Sequence, residues 1–273
     1  MNRREGFTVI ELLVTLVLAG LIMGSAYQVV LVQQRSTRAQ TILATQRSAL
    51  RTAAAVLQTE LREAASFSGS ADAGSDLGVI AGDSVRFRAL RQFAVVCDLN
   101  RGDHWLDVWV FGDRIAKQDS IMAYAEGNTS NATDDVWKAD AASSVGAAVT
   151  TSCNTSWPGV AAQGVNAPGI DLTGVYKGGV VRGFKWITYG LVQSGGEWVL
   201  KRWTSDGTSA VIAEGLDAAS STAPLFRYYD SNGTATTDAG AVAQIEIVLR
   251  SPGNAGAGVP PETLSTRLYL RNN

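Results

Sequence analysis

Gly6-Phe7-Thr8-Val9-Ile10-Glu11-Leu12-Leu13 opens an apolar run that lasts to Val32. Phe7–Val32 is 26 residues long and carries one formal charge, Glu11. At ~1.5 Å per residue, a helix over this run spans the ~30 Å hydrocarbon core of a bilayer. An acid inside such a helix costs about 2.5–3.5 kcal/mol at the bilayer centre and less near an interface. Glu11 stands one turn in, at the cheaper end. A snorkelling acid at a membrane boundary accounts for its position alone; it leaves the residues around it unexplained.

Beyond the apolar run, Gln33 to Ala65 reads as an amphipathic continuation of the same helix. Leu43, Leu50, Leu57 and Ala64 recur seven apart, and Ala39, Gln46, Ala53, Leu61, Ala54 and Ala65 lie beside that row. This makes a narrow seam for packing on a sheet, with Arg35, Arg38, Arg47, Arg51, Arg62 and Glu63 on the other faces. No proline interrupts residues 7–67, and the first 67 residues hold only three glycines. All six prolines lie at or after Pro158, and the first lysine is Lys117. Near Phe67, then, a helix-prone rod gives way to a Gly-rich, strand-prone body.

Over the whole chain, 273 residues allow one large or two small domains. A hydrophobic share of 46% and a charged share of 18% exclude a disordered chain. Net charge is −2 and pI about 5.5, which argues against binding nucleic acid by neutralising phosphates. One histidine and two cysteines exclude a multi-histidine metal centre and any two-histidine catalytic scheme. The charge is divided unevenly: seven arginines against four acids in residues 1–67, sixteen cations against twenty-one acids in 68–273.

Alternation marks strands in the body: Val85, Phe87 and Ala89 against Arg86 and Arg88; Leu106, Val108 and Val110 against Asp107 and Trp109. Lys185, Ile187, Tyr189 and Leu191 alternate with Trp186 and Thr188. Ser194-Gly195-Gly196 then turns into Trp198–Trp203, a hairpin. Ile245, Ile247 and Leu249 alternate with Glu246 and Arg250, and Leu268 and Leu270 with Arg267, Tyr269 and Arg271. The expected fold class is α+β: a long N-terminal helix, membrane-spanning in its first half, packed on an antiparallel sheet with one wet face.

The opening octapeptide resembles the type III signal of type IV pilins and type II secretion pseudopilins. In that family a short basic leader ends in Gly, and a membrane peptidase cuts after it and methylates the new N-terminus. The resemblance implies cleavage between Gly6 and Phe7, N-methylation of Phe7, and a role for Glu11 in subunit register. Paired with the Phe7 amine of a neighbouring subunit, the Glu11 carboxylate would cancel two charges buried in a helical bundle. The implied layout is a leader at 1–6, an assembly helix at 7–32, its exported half at 33–67 and a pilin-like body at 68–273. The implied partners are other pilin or pseudopilin subunits, the prepilin peptidase and methyltransferase, and an inner-membrane assembly platform. Before assembly the chain would sit in the inner membrane with its body in the periplasm. Arg3 and Arg4 at one end of the apolar run and Arg35 and Arg38 at the other leave orientation undecided by charge, so the implied cleavage face decides it.

A secretory signal peptide cut near Gly24-Ser25-Ala26 is the competing reading. It requires a long apolar stretch carrying an acid, and the helical pattern runs past the site. Many major pilins carry a proline early in the helix; this chain has none there, which favours a minor subunit. Ala213-Glu214-Gly215-Leu216 and Leu225–Gly233 resemble, more loosely, W-type minor pilins and J-type minor pseudopilins. The sequence shows no Gly-rich phosphate loop, nucleophile elbow or metal spacing, so neither an enzyme nor a cofactor is expected.

Cys97 and Cys153 fall in the part expected to be exported, so a disulfide between them is expected. One buried and one loop thiol is the alternative. Residues 126–172, rich in small polar residues, read as one long variable loop that such a bond would tie down. Asp230-Ser231-Asn232-Gly233 resembles the start of a calcium loop without its closing glutamate, and reads more simply as a turn. Trp105, Trp109, Trp186, Trp198 and Trp203 lie on expected strands. Cross-strand packing is their usual role, and a stacking platform for sugars or single-stranded DNA is the functional alternative. His104 is expected in a turn or at the surface. Two other function classes remain beside the filament subunit: a ligand-binding module at a pilus tip, and an anchored exported enzyme, for which no motif is present.

Overall fold

The computed structural model describes residues 8–62, 64, 76–130, 133–148, 153 and 160–270. The Gly6–Phe7 junction lies outside these residues. Among the described residues one α-helix, α1, runs Val9–Leu61, and thirteen strands follow it. The chain divides into two compact units: the helix to Ser48 with Pro252–Glu262, and Ala49–Ser251 with the chain from Thr263.

In the first unit, α1 begins at Thr8, whose hydroxyl oxygen accepts from the Glu11 N–H at 3.3 Å while its carbonyl accepts from Leu12 at 3.2 Å. This is the acceptor half of a capping box, Thr-x-x-Glu. From Val9 to Val30 the helix is exposed on every side. It is the one helix among the described residues long and apolar enough to cross a membrane. Further along, Arg47 meets Glu262 at 2.7 Å, just after a short loop closed by hydrogen bonds between Asn254 and Val259.

In the second unit, the last turns of α1 bury Leu50, Ala53, Ala54, Leu57 and Leu61. These are the seam positions expected from the seven-residue spacing. They share one core with Val85, Phe87, Ile187, Tyr189 and Leu200 on one side and Phe226, Ile245, Ile247 and Leu268 on the other. The helix is therefore packed against antiparallel sheets, as an α+β, pilin-like fold requires.

The larger sheet is built on two long central strands, β2 (Ser84–Asn100) and β8 (Val180–Ser194), paired antiparallel from Ser84↔Gly190 to Val95↔Val180. Beside β2 lie β1 (Leu77–Ile80) and β3 (Trp105–Gly112); beside β8 lie β4 (Ser120–Ala125) and β9 (Glu197–Thr204), with β10 (Ser209–Leu216) outermost. The β8–β9 turn uses Gly195 and Gly196, at φ +61° and +88°, the double left-handed geometry of a two-residue hairpin. A second sheet holds β11 (Phe226–Tyr229), β12 (Gln244–Ser251) and β13 (Glu262–Tyr269) in that order.

Residues 126–172 depart from expectation. Instead of one long loop they carry β5 (Val136–Ala141), β6 (Ser144–Gly146) and β7 (Ala161–Asn166). β5 pairs with β4, and β6 with β7, which pairs with β3. Ala142 and Ser143 join β5 to β6, and their backbones bond to Asp119 on one side and Asn166 on the other. The lower sheet thus closes into a small barrel filled by Val96, Leu106, Val108, Ile121, Val165 and Val181. β4 and the chain from Ala167 to Val175 supply much of the rest of this core, through Ile121, Ala123, Ile170, Leu172 and Val175.

The expected wet face is corrected too. On the side of the larger sheet away from α1, Arg88, Asp107 and Phe184 are buried. Arg88 pairs with Asp76 at 2.8 Å, and Asp107 accepts from the Trp105 indole at 2.9 Å. Aromatic rings cover polar groups there, so burial does not follow simple alternation. Asp230 closes a turn, its carboxylate accepting from the Asn232 and Thr234 N–H groups. His104 sits in the β2–β3 turn at φ +52°, and its Nδ1–H donates to the Ile170 carbonyl at 2.9 Å.

Candidate functional site

The site implied by the sequence is the start of α1. Gly6 and Phe7 fall outside the described residues, and Thr8 and Glu11 fall within them. The Thr8 cap uses the backbone of Glu11 and leaves its carboxylate exposed. That carboxylate has no hydrogen-bond or ion-pair partner among the described residues. Its charge suits a helix N-terminus, where the aligned peptide dipoles favour an anion. Around it Val9, Ile10, Leu12 and Leu13 are each more than half exposed. Chemically, this is a lone acid on an exposed apolar rod.

Cys97 and Cys153 are joined by a disulfide, with Cα atoms 5.5 Å apart. Cys97 sits where the β2–β3 register shifts between Val96 and Asp98. The Trp109 indole donates to the Cys153 carbonyl at 2.6 Å, which fixes Cys153 beside β3.

A cluster that the sequence reading missed centres on Glu60 of α1. It accepts from Tyr189 Oη at 2.7 Å and Arg202 Nε at 3.0 Å, and meets Arg91 at 3.1 Å. Burial first, and then the bond to Glu60, push the Tyr189 phenol well above its usual pKa. The only sequence signal was an acid set between the seam residues Leu57 and Leu61. Among the described residues, no group of three or more His, Cys, Asp or Glu side chains is placed to hold a metal.

Residues 1–27 match the family described as the prokaryotic N-terminal methylation motif. No curated protein and no solved structure matches the chain. The motif supports the type IV pilin and pseudopilin superfamily, and with it a subunit processed by prepilin peptidase and assembled with other pilins. It points to a structural subunit rather than an enzyme. Together with the apolar helix it fits a single-pass, membrane-anchored protein.

Proposed function

We propose that the chain is a minor pilin or pseudopilin, cut between Gly6 and Phe7, methylated at Phe7, and incorporated into a type IV pilus or type II secretion pseudopilus. The observation that carries this is the methylation motif at residues 1–27 leading directly into an exposed apolar helix with a single acid. The Arg3–Arg4 leader stays in the cytoplasm and the body, disulfide included, stands in the periplasm until the subunit enters the fibre.

The mechanism is extraction from the membrane into a bundle of like helices. Neither lipid nor bundle hydrates a charge, so Glu11 and the Phe7 amine of a neighbour each favour the state in which they meet. The apolar stripe supplies attraction without direction, and the charge pair supplies register. The absence of proline from α1 and the loose W- and J-type likeness favour a minor place, at initiation or the tip. Substituting Glu11→Val tests this in cells that carry the assembly machinery. The variant is expected in the membrane fraction at wild-type level but lost from sheared filaments; equal incorporation would refute the role of Glu11.

A further inference from the structure

Period two along β8 sends Val181, Ile187 and Tyr189 into the two cores and Arg182, Phe184, Trp186 and Thr188 to the opposite face. Pairing carries that outer face across the sheet, through Arg86↔Thr188↔Trp203 and Phe93↔Arg182↔Met122. A ring atom of Trp186 stands 2.7 Å from where a Cβ on Gly78 would lie, and one of Trp203 stands 3.4 Å from that of Gly190. Both indoles therefore lie along the sheet over strands that carry no side chain there.

Cations rest on these rings: Arg86 on Trp186 at 4.7 Å, Arg182 on Trp137 at 4.5 Å and Lys201 on Trp203 at 5.5 Å. None of the three has a carboxylate partner among the described residues, whereas Arg88, on the same face, is paired with Asp76. Between them Leu90 and Phe93 are 40% and 43% exposed. No acid occurs in 86–93, 182–188 or 201–203. At ~3.3 Å per residue and ~4.8 Å between strands, the backbone of Arg86 lies about 12 Å from that of Lys201 and about 20 Å from that of Arg182.

We infer that this face binds an anionic polysaccharide, with a sugar face against the exposed Phe93 ring and sugar carboxylates on Arg86, Arg182 and Lys201. The indoles hold the three cations in place, and a guanidinium edge without a carboxylate partner suits a sugar carboxylate. The wide cation spacing, on a body with an excess of acids, disfavours a nucleic acid, whose charges recur every few ångströms. The face is a strip that runs along and across strands rather than a single compact patch. The inference takes from the proposed function only that the body is exported, and binding is measured on the unassembled chain, so it stands or falls apart from processing and assembly.

The probe is alginate, a polyuronate, added to the full chain in nonionic detergent and followed by calorimetry, with dextran and oligo-dT in parallel. Alginate is expected to bind, more weakly as salt rises, and dextran is not. Arg86→Ala with Arg182→Ala should weaken binding by about tenfold or more, the loss of one or more charge-assisted contacts. Arg86→Lys with Arg182→Lys should restore part of it. Should the alanine pair misfold by circular dichroism, Arg182→Gln with Lys201→Gln serves in its place with the same expected loss. No retention of alginate, an unchanged affinity in the folded variant, dextran binding as tightly, or oligo-dT binding more tightly would each overturn the inference.

Discussion

Glu60 holds one negative charge against the guanidinium groups of Arg91 and Arg202, with the Tyr189 hydroxyl on the same carboxylate. Its side chain is 19% exposed, so water screens the cluster only in part. Glu60→Ala would leave two sheet cations, on β2 and β9, without their shared helix partner. The expected loss is about 2–4 kcal/mol, below the full cost of breaking a buried pair, read by urea unfolding. Glu60→Gln, which keeps an acceptor for Tyr189, should lose less.

Asp119 carries the opposite sign. Burial raises its carboxyl pKa above 3.8, although the Ala116 N–H, the Lys185 charge and the Gln92 amide each favour the anion. The folded protein therefore holds this proton more tightly than the unfolded chain does. The stabilisation is complete below the unfolded pKa and is lost as pH rises through the folded one. Asp119→Asn keeps an acceptor for Ala116 and Gln92 and removes the buried charge. Thermal melts should coincide with wild type at about pH 3 and lie above it at about pH 7; a variant less stable at neutral pH would contradict this.

At the scale of elements, the Cys97–Cys153 bond spans a sequence separation of 56 residues. Closing a loop of that length contributes about 4 kcal/mol in the chain-entropy account. Cys97→Ser with Cys153→Ser should lower the melting temperature of the body while α1 stays helical. An unchanged melting temperature would show that the bond adds nothing to the Trp109 contact with Cys153.

The elements also show what a sequence can reveal. The buried seam of α1 was legible in Leu50, Leu57 and Leu61 because a helix repeats its own geometry. The β8–β9 hairpin was legible in Gly195-Gly196 because the turn is local. The barrel was not, since Val145 and Val165 read as isolated apolar residues until β6 and β7 are paired. The Glu60 cluster stayed hidden for the same reason: its partners lie at Arg91, Tyr189 and Arg202, far along the chain. At the start of α1 the situation reverses. The methylation motif over residues 1–27 was legible because it is local, while the Thr8 cap was visible only as the spacing Thr-x-x-Glu.

At the scale of the whole molecule, each unit has a distinct physical character. The first exposes an apolar rod that water does not stabilise. The second buries its own cores and holds a disulfide suited to an oxidising space. A chain of this kind is stable only if the rod has lipid or other helices around it. The filament reading supplies both in succession, and the single acid at Glu11 is what distinguishes it from a plain anchor.

Intact-mass measurement of the membrane-extracted chain reads leader removal, methylation and oxidation together. The expected mature form begins at Phe7, carries one added methyl group and retains the Cys97–Cys153 bond. A form that keeps Met1, or that begins near Tyr27, would contradict it.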